Sequence, residues 1–214
     1  MCPSPDPVDQ RIGIPALPGG VGASADAGWA HRAIVETGPS ASTAGAALTG
    51  APLAAPQAMR LVWSSEADTQ AFCKQLADRL LLDPNTRSGF ISLHGPLGAG
   101  KTTVVRHLLR ALGVQGRIKS PTYALVEPYN VATPQGDWPI WHADFYRLED
   151  PQEVEEAGVR ELFAGPGLKL AEWPEKAAGQ LPQPDLALVL NSTAEGQRQV
   201  ELNALSSVGR AWLL

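Results

Sequence analysis

From residue 60 onward, apolar positions fall into short runs with regular punctuation. Arg60–Trp63 reads as a short strand. Ser64 or Ser65 then offers an N-cap for a helix over roughly 66–82, with Ala67, Ala71, Phe72, Leu76 and Leu80 as its apolar stripe. Asp83-Pro84-Asn85 ends it. Phe90–His94 is a second short strand. After a glycine-rich stretch, Val104, Val105, Leu108, Leu109 and Leu112 mark one side of a helix over 101–112 that Gly113 stops. Residues 122–127 and 138–143 read as strands. Asp150-Pro151-Gln152-Glu153 reads as a capping box opening a helix to about Phe163. Leu168–Glu172 is a further strand. Leu186–Leu190 and Arg198–Leu202 flank a turn-prone stretch and predict a hairpin, so the chain is expected to end in strand. Early alternation of strand and helix with a late hairpin implies one α/β domain with a mixed sheet flanked by helices.

Residues 1–58 carry no such period. Ala, Gly, Pro, Ser and Thr fill 37 of those positions and Trp29 is the sole aromatic there. That is too little apolar surface to offset the entropy of ordering, so this extension is expected to be disordered. Met59 stands at the boundary, and an alternative start there is an open reading. The domain is accordingly placed at 59–214. A net charge of −5 argues against a broad nucleic-acid surface. Cys2 and Cys73 cannot build a disulfide framework, and Cys73 falls on the first helix as a small buried residue. No apolar run is long enough to span a bilayer, which leaves a soluble cytoplasmic protein as the default expectation.

The chemistry concentrates in Gly95-Pro96-Leu97-Gly98-Ala99-Gly100-Lys101-Thr102, which fits G-x-x-x-x-G-K-[ST] between a strand and a helix. Glycines let successive N–H groups curl around phosphate oxygens, and the helix opening at Lys101 adds its positive end. Lys101 is placed to reach the β- and γ-phosphates, and the Thr102 hydroxyl to ligate magnesium. Asp144 and Glu172 each end an apparent strand, where ligands gather in an open α/β sheet, and either suits the Walker-B-like role. Thr122, in the Pro-bounded Ser120-Pro121-Thr122-Tyr123, is either a γ-phosphate sensor or part of a turn into a strand. His142 has no His or Cys cluster around it and reads as a hydrogen-bonded structural residue. Trp138 and Trp141 read as packing residues. Arg106, His107, Arg110, Arg117 and Lys119 form a local basic cluster, read as a solvated face or as a contact for a nucleic acid or an acidic partner surface.

Four motifs occur in order: GPLGAGKTT (95–103), KSPTYALVEP (119–128), HADFYR (142–147) and EWP (172–174). In this the chain resembles the TsaE (YjeE) family over roughly residues 60–205. The resemblance implies a small P-loop ATPase that binds ATP and ADP with Mg2+. It would act in making threonylcarbamoyladenosine at position 37 of tRNA. Its partners would be TsaB and TsaD, with tRNA met through that complex. Intrinsic activity would be low, and nucleotide turnover on the complex would permit multiple rounds of modification. By motif, Lys101 and the loop from Gly95 through Thr103 contact phosphate, and Thr102 with Glu172 holds magnesium. Asp144 matches the family's essential Asp and Thr122 its switch-like Thr. Tyr146, Arg147 and Trp173 complete partner or switch motifs. Thr69 is a candidate for the adenine site, and Arg198 is a candidate to reach the nucleotide. Pro96 departs from the acidic residue usual at its position, and the first 58 residues lie outside the family pattern. Two other classes compete: a nucleotide-gated binding module in which hydrolysis is not essential, and a small-molecule kinase, for which no Arg-rich lid is visible.

Overall fold

The computed structural model describes residues 57–214. The expectation for residues 1–58 thus falls outside the described residues, except that Gln57 and Ala58 already belong to the first strand. In chain order the elements are β1 (Gln57–Trp63), α1 (Glu66–Leu82), β2 (Gly89–His94), α2 (Lys101–Ala111), β3 (Val126–Thr133), β4 (Gly136–Asp144), α3 (Gln152–Glu156), α4 (Val159–Ala164), β5 (Leu168–Glu172), β6 (Leu186–Ser192), β7 (Arg198–Ala204) and α5 (Ser207–Leu213). Seven strands form one sheet in the order β1-β7-β6-β2-β5-β4-β3. The inner strands β6, β2, β5 and β4 run parallel. The antiparallel partners β7 and β1 close one side, and β3 closes the other. The mixed sheet flanked by helices is the architecture expected from the sequence.

Strand alternation sorts the core onto two faces. Ile91, Leu93, Ile140, Leu168, Leu170, Leu186 and Leu188 pack with α1, α2 and α5 in the larger cluster. Phe90, Ala143 and Ala171 pack with Phe145, Val154, Val159 and Phe163 in the smaller one. Helix α2 buries Val104, Val105, Leu108 and Leu109, each contributing about 1.5–3 kcal/mol on burial. Helix α1 is capped as read: Ser65 Oγ accepts from Asp68 N at 3.4 Å, while Ser65 N donates to the Asp68 carboxylate at 3.0 Å. Its buried face is Thr69, Phe72, Cys73, Leu76, Ala77 and Leu80, an i, i+3, i+4, i+7 series. Ala67 and Ala71 are exposed, which corrects two positions of the expected stripe.

Three element expectations need correction. Residues 122–125 are a turn, and the strand begins at Val126 and runs to Thr133. Pro128 and Asn130 obscured its length, and β3 tolerates Pro because it is an edge strand. The helix expected to run to Phe163 breaks into α3 and α4 at Ala157-Gly158, although the cap contacts of Glu153 to the Glu149 and Asp150 amides are present. The chain ends in a helix rather than a strand. Ser206 caps α5 by accepting from Gly209 N at 3.1 Å, and Trp212 Nε1 donates to Thr86 O at 2.9 Å. Among the described residues, no helix is long and apolar enough to cross a membrane.

Candidate functional site

The loop between β2 and α2 lies at the carboxyl end of the central parallel strands, where the helices of an α/β fold aim their positive ends. Two of its glycines have no substitute. Gly95 adopts φ 133°, and a Cβ there would sit 2.1 Å from Leu190 O. Gly100 adopts φ 101°, and a Cβ there would sit 2.7 Å from Arg198 Nε. Val104 N donates back to Gly100 O at 3.0 Å. The N–H groups ahead of Val104 are those that a helix leaves without an intrahelical acceptor. Lys101 folds over the loop. Its Nζ donates to Gly95 O at 2.6 Å and Pro96 O at 2.9 Å, and lies 3.7 Å from the centre of the Trp173 ring. Lys101 is buried, and burial holds its ammonium below the ordinary lysine value, with Glu172, Glu175 and Asp144 pulling the other way.

The two carboxylates come together through register. Asp144 is paired directly with Glu172 across the β4–β5 ladder. His142, two residues before Asp144, falls on the same face. Glu172 Oε2 accepts from Thr102 Oγ1 at 2.8 Å, and its Oε1 lies 2.9 Å from His142 Nε2. Asp144 is engaged on both oxygens. Its Oδ2 accepts from Ser120 Oγ and, at 3.0 Å, from Thr122 Oγ1, while Oδ1 accepts from Tyr146 N at 3.0 Å. Asp144 N in turn donates to Leu125 O at 3.1 Å. The Asp144 carboxylate and amide therefore tie the 120–125 segment to the site. Leu125 sits at φ 64° and Trp173 at φ 57°, a left-handed conformation that costs a residue other than glycine about 1–3 kcal/mol. Both lie beside the phosphate loop or the carboxylates. Trp173 N donates to Leu93 O at 3.3 Å, and its ring meets Tyr146 at 5.1 Å between centroids.

These groups enclose a cavity of about 330 Å3. Of the residues singled out from sequence, Leu97, Gly98, Gly100, Lys101, Thr102, Thr103, Thr122, Asp144, Tyr146, Glu172, Trp173 and Arg198 line it. Gly95 and Pro96 contribute the carbonyls that hold Lys101, and Ala99 O accepts from Arg198 Nε at 3.1 Å. Arg147 points into a neighbouring groove, with its guanidinium 4.5 Å from the centre of the exposed Tyr123 ring. Thr69 is not brought to the cavity: it is buried in α1, and its hydroxyl has no partner. Sequence reasoning missed Ser120 as an Asp144 partner and His142 as a Glu172 partner. Period-two alternation from Asp144 was the available signal for His142. The basic cluster is partly consumed, since His107 pairs with Glu66 at 2.8 Å and Arg110 donates to Val114 O at 3.0 Å.

The donor set suits magnesium. Thr102 and Glu172 offer hard oxygens at the loop, with Asp144 beside them on the ladder. Magnesium is typically met by one or two carboxylates, with water and substrate phosphate completing its shell. Among the described residues, no group of three or more His, Cys, Asp or Glu side chains could hold a metal unaided.

The model of the family described as "Threonylcarbamoyl adenosine biosynthesis protein TsaE" matches residues 63–200. Similar proteins include the tRNA threonylcarbamoyladenosine biosynthesis protein TsaE of Haemophilus influenzae, 42% identical over 65% of this chain and 85% of that one. The Bacillus subtilis protein of the same name is 36% identical over 55% and 70%. The one from Treponema pallidum is 33% identical over 66% and 98%. Among solved structures, the crystal structure of Bacillus subtilis YdiB superposes with a TM-score of 0.57 at 24% identity, covering 74% of this chain and 93% of that one, which supports the fold. With a family match across both the phosphate loop and the paired carboxylates, the chain belongs to the TsaE family of threonylcarbamoyl adenosine biosynthesis proteins.

Proposed function

We propose that this chain is the ATP-binding and ATP-hydrolysing subunit of the cytoplasmic machinery that makes threonylcarbamoyladenosine at position 37 of tRNA. It would act on a complex of TsaB and TsaD to permit multiple turnover. The observation that carries the reading is the 2.8 Å bond from Thr102, at the start of the phosphate-loop helix, to Glu172, 70 residues further on. A hydroxyl and a buried carboxylate converge there beside an ammonium.

Loop amides and the Lys101 ammonium bind the β- and γ-phosphates, with Lys101 exchanging its Gly95 and Pro96 carbonyls for phosphate oxygens. Thr102 and Glu172 hold magnesium, which when bound neutralises phosphate charge. Glu172 is already committed on both oxygens, to Thr102 and His142. With Glu172 given to magnesium, positioning of the attacking water is assigned to Asp144 with Thr122, and Asp144, itself engaged on both oxygens, must release a hydroxyl to take it. Because Asp144 also holds the 120–125 segment, the same carboxylate couples nucleotide state to the surface around Tyr123, Tyr146 and Arg147, where TsaB and TsaD would complete the site. Arg198, anchored on Ala99 O, borders the phosphates.

The coupling of the 120–125 segment also suits a nucleotide-gated module that does not need hydrolysis. The two readings separate in a multiple-turnover modification assay with TsaB, TsaD and tRNA. An Asp144→Asn variant that still binds ATP but releases no phosphate should stop after about one round under the ATPase reading. Sustained modification by that variant would assign the work to binding alone.

A further inference from the structure

The buried imidazole of His142 has no role of its own in the mechanism above. It is wholly buried, and the Glu172 side chain beside it is 3% exposed. Nε2 lies 2.9 Å from Glu172 Oε1, whereas Nδ1 is buried without a partner. A carboxylate oxygen can only accept, so Nε2 is the donor in this contact, while Nδ1 has no partner. An unmatched buried polar nitrogen costs stability. An apolar residue could fill this position in the core of the parallel sheet without that cost, so the ring's contribution lies in its one bond.

That bond fixes a rotation. Glu172 has two oxygens on one flexible carboxylate. With Oε1 held by His142, Oε2 is turned to Thr102 at the mouth of the phosphate loop. His142 reaches Glu172 diagonally across the β4–β5 ladder, because Asp144 stands directly opposite. Both strands are internal to the sheet, so the backbone gives the ring little room to drift.

We propose that His142 is a positioning residue: through Nε2–H it locks the Glu172 carboxylate so that Oε2 faces Thr102 and the magnesium that accompanies the nucleotide. This rests on the magnesium reading above. A hydrogen-bonded partner behind a ligating carboxylate sets ligand orientation and is worth roughly 10–100-fold in metal affinity. The effect should therefore appear in magnesium-dependent nucleotide binding, whether or not hydrolysis is followed.

The test is binding of a fluorescent N-methylanthraniloyl ATP to the full chain, in magnesium and in EDTA. Wild type should bind more tightly in magnesium. His142→Ala should lose about 10-fold or more of that gain while its EDTA affinity stays within about twofold of wild type. His142→Gln, whose amide N–H can occupy the Nε2 position, should recover most of the gain. If Glu172→Ala loses the gain but His142→Ala keeps it, or if Gln does no better than Ala, the positioning role is overturned and the magnesium site stands. If wild type shows no gain, the magnesium reading falls and takes this inference with it. Should the variants fail to fold, nitrogen NMR of the wild-type histidines decides: a His142 ring that carries a proton on Nε2 supports the proposal, and one whose Nε2 is bare overturns it.

Discussion

The phosphate loop and the 120–125 segment face the same cavity but are held by different means. The loop is fixed by several close contacts: Gly95 lies against the Leu190 backbone carbonyl, Gly100 against the Arg198 side chain, and the Lys101 side chain is folded onto two loop carbonyls. The 120–125 segment is fixed largely by one residue, Asp144, through Ser120, Thr122 and Leu125. It leaves Tyr123 88% exposed and Leu125 in a left-handed conformation. A part held by several close contacts serves as a constant cradle. A part held by a single carboxyl group at the nucleotide site can be released when that group finds another partner.

The largest expected effect is on chemistry in the cradle. Lys101→Ala should lower phosphate release by on the order of 10²–10³-fold, as removal of one preorganised electrostatic group does. Next comes the cradle's backbone. Gly95→Ala must place a Cβ into Leu190 O at positive φ, and should lower unfolding stability by roughly 2–4 kcal/mol in urea titrations. If it cost less than about 1 kcal/mol, the loop would not be held as described. Asp144→Ala should act on the other region. Amides 120–126 should exchange hydrogen faster while those of 98–104 keep wild-type protection. Equal loosening of both regions would erase the distinction.

Much of the cradle was legible beforehand, because eight consecutive residues carry their own geometry. The 120–125 segment was not. A leucine at positive φ has no sequence signature, and Pro128 within β3 hid where the strand begins. The convergence of Thr102 with Glu172 depends on strand order and on the Asp144–Glu172 register, neither of which is local. Family motifs named those residues, but only the register shows why His142 stands behind Glu172. Helix α5 was missed because seven residues after a hairpin carry too short a period to read.

The smallest expected effect lies away from both regions. Burial pushes the Cys73 thiol from 9.0 up to about 12. The folded chain therefore keeps a proton that the unfolded chain gives up near pH 9. Stability contributed by this group is intact below pH 9 and falls as pH rises from there toward 12. Cys73→Ala should lose less stability than wild type between pH 8.5 and 10.5 (roughly the onset of that window), as thermal melts across the range would show.

The central claim is that the cradle and the Asp144-held segment form an ATPase that TsaB and TsaD complete. Magnesium-dependent phosphate release by the full chain, alone and with purified TsaB and TsaD, tests it most directly. The account expects slow release alone, strong stimulation by the partners, and loss of that stimulation in Lys101→Ala. Tight ATP binding and demonstrated complex formation without any stimulation would contradict it.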